Sequence, residues 1–165
     1  MEDLTDIINE IAALLRGERA TVATAESCTG GRIASFLTSV AGASEWYNGG
    51  IVAYTKMAKQ EVLGVPAVEL ADGLITERCA KAMATAAADR LDSNYAVATT
   101  GVCGPTPSEG HRPCTAWIAV RSPKGIETRL FRMEDLGRQA NIETVSRVAL
   151  QMLLHTVREE AAASR

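Results

Sequence analysis

The chain has 165 residues, 47% hydrophobic and 22% charged, with 17 Lys and Arg against 20 Asp and Glu for a net charge of −3. These proportions exclude a disordered or collagen-like chain, and the small acidic excess argues against a dedicated DNA or RNA binder, because phosphate binding usually leaves a basic surplus. No apolar run of about 18 residues marks a membrane span, and the acidic start Met1-Glu2-Asp3-Leu4 is unlike a signal or transit peptide.

A chain of this length buries roughly 70% of its unfolded surface, so its core needs no metal or disulfide. One domain over residues 1–165 is expected. Aromatic residues are few (Trp 2, Tyr 3, Phe 2), whereas Gly is 13 and Ala 27. Such small residues let helices pack closely on a sheet and let backbone approach a ligand. Cys28, Cys79, Cys103 and Cys114 form no Cys-x-x-Cys pair, and His111 and His155 are far apart. A structural zinc site is not expected, and reduced thiols in a cytoplasmic protein are.

In chain order, Leu4, Ile7, Ile8, Ile11, Leu14 and Leu15 recur at helical spacing, with Gly17 as end cap. Ala20 to Ala25 reads as a short strand, and Arg32 to Leu37 as a helix after Gly30-Gly31. Gly42 and Gly49-Gly50 mark a turn region before a strand at Ile51 to Tyr54. Lys56 to Leu63 is a short helix stopped by Gly64-Val65-Pro66. A longer helix runs from Thr76, its N-cap, to Leu91. Tyr95 to Thr100 is a strand, and Val102 to Pro113 a loop with three of the five prolines. Thr115 to Arg121 and Ile126 to Arg132 read as a hairpin around Ser122-Pro123-Lys124-Gly125. Leu136 to Val157 closes the chain as a helix, with Ala161 to Arg165 fraying. Helices interleaved with strands predict a sheet covered on both faces, and the hairpin makes that sheet mixed.

Three segments carry candidate chemistry. Ala25-Glu26-Ser27-Cys28-Thr29-Gly30-Gly31 joins a strand to a helix, where open α/β sheets bind ligands. Free N–H groups at a helix start suit a phosphate or an oxyanion. The same turn also suits an ordinary strand–helix junction with Ser27 or Thr29 as N-cap. Tyr54-Thr55-Lys56-Met57-Ala58-Lys59 is a second such junction. A lysine replaces histidine as the base for a serine when burial lowers its pKa from about 10.4, and neither histidine has a partner nearby in sequence. Lys56 and Lys59 as solvated helix charges is the competing reading. The third segment, Thr99 to Pro113, is a Gly/Pro loop in which binding residues gather, with Arg112 able to hold a phosphate or carboxylate or to sit in solvent. Cys28 or Cys103 offers a reactive thiol, although a Cys between small apolar residues is more often buried and inert.

Together these segments resemble the C-terminal domain of the CinA (competence/damage-inducible) family, which includes nicotinamide-nucleotide amidohydrolases. The resemblance spans roughly residues 4–157. It rests on Ala25 to Gly31, on Gly49 to Tyr54 with Lys59 and Leu63-Gly64-Val65, and on Thr100-Gly101-Val102-Cys103-Gly104-Pro105, where the family has Thr-Gly-Ile-Ala-Gly-Pro. Arg138 falls where the family's closing helix carries an Arg. The resemblance implies a three-layer α/β/α sandwich with a mixed, mostly parallel sheet of about five strands. It implies hydrolysis of nicotinamide mononucleotide to nicotinate mononucleotide and ammonia, without metal or organic cofactor, in a homo-oligomer. Ser27 is then the nucleophile, Lys59 its base and Tyr54 a proton-transfer aid. Thr29, Gly30, Gly31, Thr100, Gly101, Gly104, Arg112 and Arg138 are the expected substrate contacts.

Several positions depart from the family pattern. Thr106-Pro107-Ser108 replaces a Gly-Gly-Gly run, and Thr115 follows Pro113-Cys114 where the family has Gly. Lys56 stands for an Asn, Gly137 for an Asp and Ile142 for a second Arg. Proline removes a backbone donor, and side chains fill space that glycines leave open. The alternative expectation is therefore a weak or inactive paralogue that binds nucleotide or regulates. The 165 residues are expected to be a family domain standing alone, without the N-terminal domain that longer relatives carry.

Overall fold

The computed structural model describes residues 2–164. The first amphipathic segment folds as α1 (Leu4–Glu18), whose N-cap Asp3 accepts the N–H of Thr5 at 2.7 Å. Ile7, Ile8, Ile11 and Leu15 form its buried side. Gly17 lies inside this helix and is not the cap that spacing suggests. Arg19, at φ 53°, takes the left-handed position instead. The N–H groups of Arg19 and Ala20 bond to the carbonyls of Arg16 and Leu15, a Schellman closure whose two bonds offset the strain of a non-glycine residue.

Five strands make one sheet in the order β2 (Tyr47–Val52), β1 (Val22–Glu26), β3 (Tyr95–Val102), β4 (Thr115–Ser122) and β5 (Gly125–Arg132). β1 pairs in parallel with β2 and β3, and β4 is antiparallel to β3 and β5. Four of the five strands thus share a direction, as expected for a mixed, mostly parallel sheet.

Alternation along the strands sorts the core into two layers. Val22, Val97, Ile118 and Val120 pack with α1, α2 (Arg32–Leu37) and α5 (Arg138–Ala163). Ala23, Ala25, Ala96, Ala98 and Ala119 meet Ala80, Met83, Ala84 and Ala87 of α4 (Glu77–Arg90). Much of the alanine excess therefore lies on this second face, where small side chains on both sides let a helix lie close to the sheet. Thr76 caps α4 as expected, accepting the N–H of Cys79 at 3.0 Å.

β2 begins earlier than its apolar residues suggest and ends before Tyr54. Gly49-Gly50 are strand residues, not a turn. At Gly50 a Cβ would stand 2.2 Å from Thr24 Oγ1 and 2.5 Å from the Tyr47 hydroxyl, so glycine lets β2 lie beside β1. α5 begins at Arg138 and runs to Ala163, beyond the expected end at Val157. The expected fray is absent through Ala163, and Arg165 lies outside the described residues. Among the described residues no helix is long and apolar enough to cross a membrane.

Candidate active site

β1, β2 and β3 all end on the same edge of the sheet, and the chain segments leaving them meet there. Ser27 follows β1 directly. Its N–H bonds to the Thr99 carbonyl at 3.0 Å, extending the β1–β3 ladder by one step and fixing where the side chain leaves the sheet. After β2, Thr55 caps the short helix α3 (Lys56–Glu61) by accepting the N–H of Ala58 at 3.1 Å. That cap turns Lys59 inward, where it is 1% exposed.

Lys59 Nζ lies 2.8 Å from Ser27 Oγ, 2.8 Å from the Ala53 carbonyl oxygen and 3.4 Å from that of Tyr54. Burial pushes the Lys59 ammonium below its ordinary range, and Cys79, Cys28 and Glu109 oppose that shift. A neutral amine has two donors and one lone pair. In this arrangement Lys59 donates to Ser27 Oγ and to the two carbonyls, and the Ser27 hydroxyl donates to the Tyr54 carbonyl at 3.4 Å; loss of one amine proton would free a lone pair facing Ser27.

Ser27 and Lys59 open onto a cleft of about 420 Å³, a size suited to a small molecule. Tyr54, Thr100, Gly101, Gly104 and Arg138 also line it. At its rim Arg138 donates to the Gly104 carbonyl at 2.6 Å and to the Tyr54 hydroxyl at 2.8 Å. The Tyr54 side chain is 53% exposed and points its hydroxyl at Arg138. Its main-chain oxygen lies within hydrogen-bond distance of Ser27 and Lys59, while its phenol bonds Arg138. Thr100 donates its hydroxyl to the Leu74 carbonyl at 2.7 Å, tying the end of β3 to the opposite wall. Gly101 is needed for packing, because a Cβ there would stand 2.3 Å from the Thr115 carbonyl oxygen on β4.

Thr29, Gly30, Gly31 and Arg112 do not line this cleft. The start of α2, expected to hold an anion, is already filled from within the chain. Glu26, 1% exposed, accepts the N–H groups of Ile33 at 2.9 Å and Ala34 at 3.0 Å and the Thr29 hydroxyl at 2.6 Å. Thr29 is therefore part of the helix cap, and Gly30 and Gly31, at φ 59° and 99°, shape the turn. Arg112 leaves the loop on the outer side, because Ser108 and His111 pair across a tight turn. Its guanidinium is exposed and donates to the Met133 carbonyl at 3.0 Å.

Several neighbours were not legible in the sequence. The Glu109 carboxylate accepts the N–H groups of Leu74 and Ile75, each at 3.0 Å, and so joins the two loops that wall the cleft. A Cβ on Gly73 would stand 2.5 Å from Glu109 Oε1. Asn141, buried on α5, donates to the Cys103 carbonyl at 2.9 Å and holds the other end of the same loop. Thr106 and Ser108, the replacements for two family glycines, line the cleft. The left-handed residue at this turn is Cys114, at φ 63°, just before β4 and one position before Thr115, which the family pattern sets against glycine.

A three-layer α/β/α fold with a buried serine–lysine pair at the carboxyl ends of its parallel strands defines the class of protein. The description "CinA C-terminal domain" matches residues 4–157, and the chain belongs to that family. It is 40% identical over 158 residues to a CinA-like protein of Anaeromyxobacter dehalogenans, covering 92% of this chain and 38% of that one. The chain spans 31–38% of the length of the first curated relatives it matches. Among solved structures, a CinA superfamily protein from Klebsiella pneumoniae 700603 superposes with a TM-score of 0.90 at 28% identity, over 96% of this chain and 99% of that one. The competence/damage inducible protein CihA from Agrobacterium tumefaciens does so with a TM-score of 0.88 at 34% identity, over 94% and 96%.

Proposed function

We propose that the cleft hydrolyses the carboxamide of nicotinamide mononucleotide, releasing nicotinate mononucleotide and ammonia, with Ser27 as nucleophile and Lys59 as base. The observation that carries this reading is the 2.8 Å contact between Lys59 Nζ and Ser27 Oγ in a site that withholds water from the amine. In it, neutral Lys59 takes the Ser27 proton as Oγ attacks the carboxamide carbon. Lys59 then returns the proton to the departing nitrogen, and ammonia leaves an acyl-Ser27 ester. A water deprotonated by Lys59 attacks that ester, frees the acid and regenerates Ser27. We assign the substrate's phosphate to Arg138, a cation that lines the cleft rim. With net charge −3, recognition of an anion falls to this local cation.

The test is ammonia release from nicotinamide mononucleotide at millimolar concentration by the purified chain. Release that disappears in Ser27→Ala supports the reading, and no release from the wild type removes it.

A second reading is a module that binds a pyridine nucleotide without turnover. Thr106 and Ser108 favour it, because their side chains occupy cleft wall where the family pattern has glycine. Calorimetric binding of the nucleotide with no ammonia release would select it, and no binding would exclude it.

A further inference from the structure

Cys28 and Cys103 both line the cleft that holds Ser27, and nothing in the proposed hydrolysis uses them. Cys28 follows Ser27 beyond β1, and Cys103 follows β3, the adjacent strand. The Cys103 thiol lies 3.6 Å from the Cys28 carbonyl oxygen, to which it donates, so the two residues touch at the cleft wall. The pair faces an open cleft although its members are only 6% and 3% exposed, which admits a small reagent and excludes a bulky one. Cys79 and Cys114 are buried away from the cleft.

We propose that Cys28 and Cys103 form a peroxide-reactive thiol pair on the cleft wall that closes to an intramolecular disulfide. The two partners have different parts. The neighbouring Cys28 and the Arg138 guanidinium hold the Cys103 thiol below its ordinary range, so Cys103 is assigned as the thiolate former. Cys28 is held well above that range by its neighbour Cys103 and by burial, so it remains a thiol until a partner sulfur is oxidised. Cys79 is pushed up to about 11 by burial, which protects it from the same reagent.

The Cys103 thiolate attacks one oxygen of hydrogen peroxide, the O–O bond breaks, and sulfenic acid forms with loss of hydroxide. The Cys28 sulfur then displaces hydroxide from the Cys103 sulfur, forming the S–S bond. Both hydroxides leave as water with the two thiol protons. Two thiols lose two electrons in all, and one peroxide is reduced to two waters. Closure must bring the two sulfurs to about 2.05 Å. Both residues lie in connections just past strand ends, where backbone adjusts more readily than within the ladder.

The reduced full chain is treated with a slight excess of hydrogen peroxide, quenched with iodoacetamide, and read by intact mass and peptide map. The wild type is expected to lose two of its four thiols and to yield one cross-linked peptide joining Cys28 to Cys103, reversed by dithiothreitol. Cys103→Ala, a small change at a site where the family pattern itself has Ala, should lose thiols at least about tenfold more slowly. In Cys28→Ser, Cys103 has no resolving thiol, so dimedone should label it as the sulfenic acid. Four surviving thiols in the wild type, a cross-link through Cys79 or Cys114, or unchanged thiol loss in Cys103→Ala would each overturn the proposal. The readout is covalent mass and not turnover, so the result is independent of the amide-hydrolysis reading.

Discussion

Lys59 bonds to the main-chain oxygen of Ala53 at 2.8 Å, six residues back along the chain. Ala53 is itself tied to β1, its N–H donating to the Glu26 carbonyl at 2.8 Å. The carbonyl that holds the amine is thus fixed to the strand that delivers Ser27, which sets the Ser27–Lys59 distance by backbone rather than by a flexible side-chain contact. Under the proposed chemistry, Ser27→Ala and Lys59→Met should each lower kcat by at least about 10³-fold. Nucleotide affinity measured by calorimetry should change far less, because neither side chain is placed to hold the phosphate.

The rate should depend on pH through Lys59. Its folded pKa lies below the ordinary lysine value because burial disfavours the ammonium. The base works only when neutral, so kcat/KM should rise with pH up to that lowered pKa and level above it. A rate that stays flat across the range where Lys59 titrates, or that falls with rising pH there, would remove Lys59 as the base.

Stability should carry the same signature with the sign set by linkage. Between the lowered folded pKa and about 10.4, the unfolded chain keeps the Lys59 proton and the folded chain does not. Stability of the wild type relative to Lys59→Met should therefore increase as pH rises through that window. Urea melts of both proteins across the window give the difference, and the subtraction removes the other titrating groups.

Glu109 links the cleft walls and supports the charge on Lys59. Glu109→Ala should cost about 1 kcal/mol of stability, since the carboxylate is exposed and its contacts compete with water. It should also lower the Lys59 pKa and move the acid limb of kcat/KM to lower pH. Glu109→Gln should move that limb similarly while keeping an acceptor for the Leu74 or Ile75 N–H. A limb that stays in place in both variants would show that Glu109 acts through loop position alone.

Glu26 offers a sharper test of the fold. Its carboxylate satisfies two main-chain donors at the start of α2 and the Thr29 hydroxyl, all in the interior. Glu26→Ala leaves the Ile33 and Ala34 N–H groups without partners, while the Thr29 hydroxyl keeps Thr99 Oγ1 at 2.8 Å, and should cost about 3 kcal/mol in urea denaturation. Thr29→Val removes one of the three contacts and should cost less.

The amphipathic spacing of α1, the hairpin of β4 and β5 and the Ser27 and Lys59 junctions were all legible in the sequence, because each depends on local pattern or on a short motif. Strand limits at β2 were not. Gly49-Gly50 have turn chemistry, and only the Thr24 and Tyr47 hydroxyls beside Gly50 explain their place in a strand. The alanine excess of an otherwise ordinary, mildly acidic chain of 165 residues signals close packing, but which face uses it depends on α4 meeting the sheet. For the proposed site, the serine and lysine and their places after strand ends were already readable in the sequence. Tertiary structure alone decided that Glu26 fills the helix start that Thr29, Gly30 and Gly31 were expected to offer an anion. It also decided that Arg112 points outward while Arg138, from the far end of the chain, reaches the cleft, and that Cys28 and Cys103 meet. Each of these depends on groups many residues apart competing for the same donors or the same space, and that competition is settled only once the strands are paired.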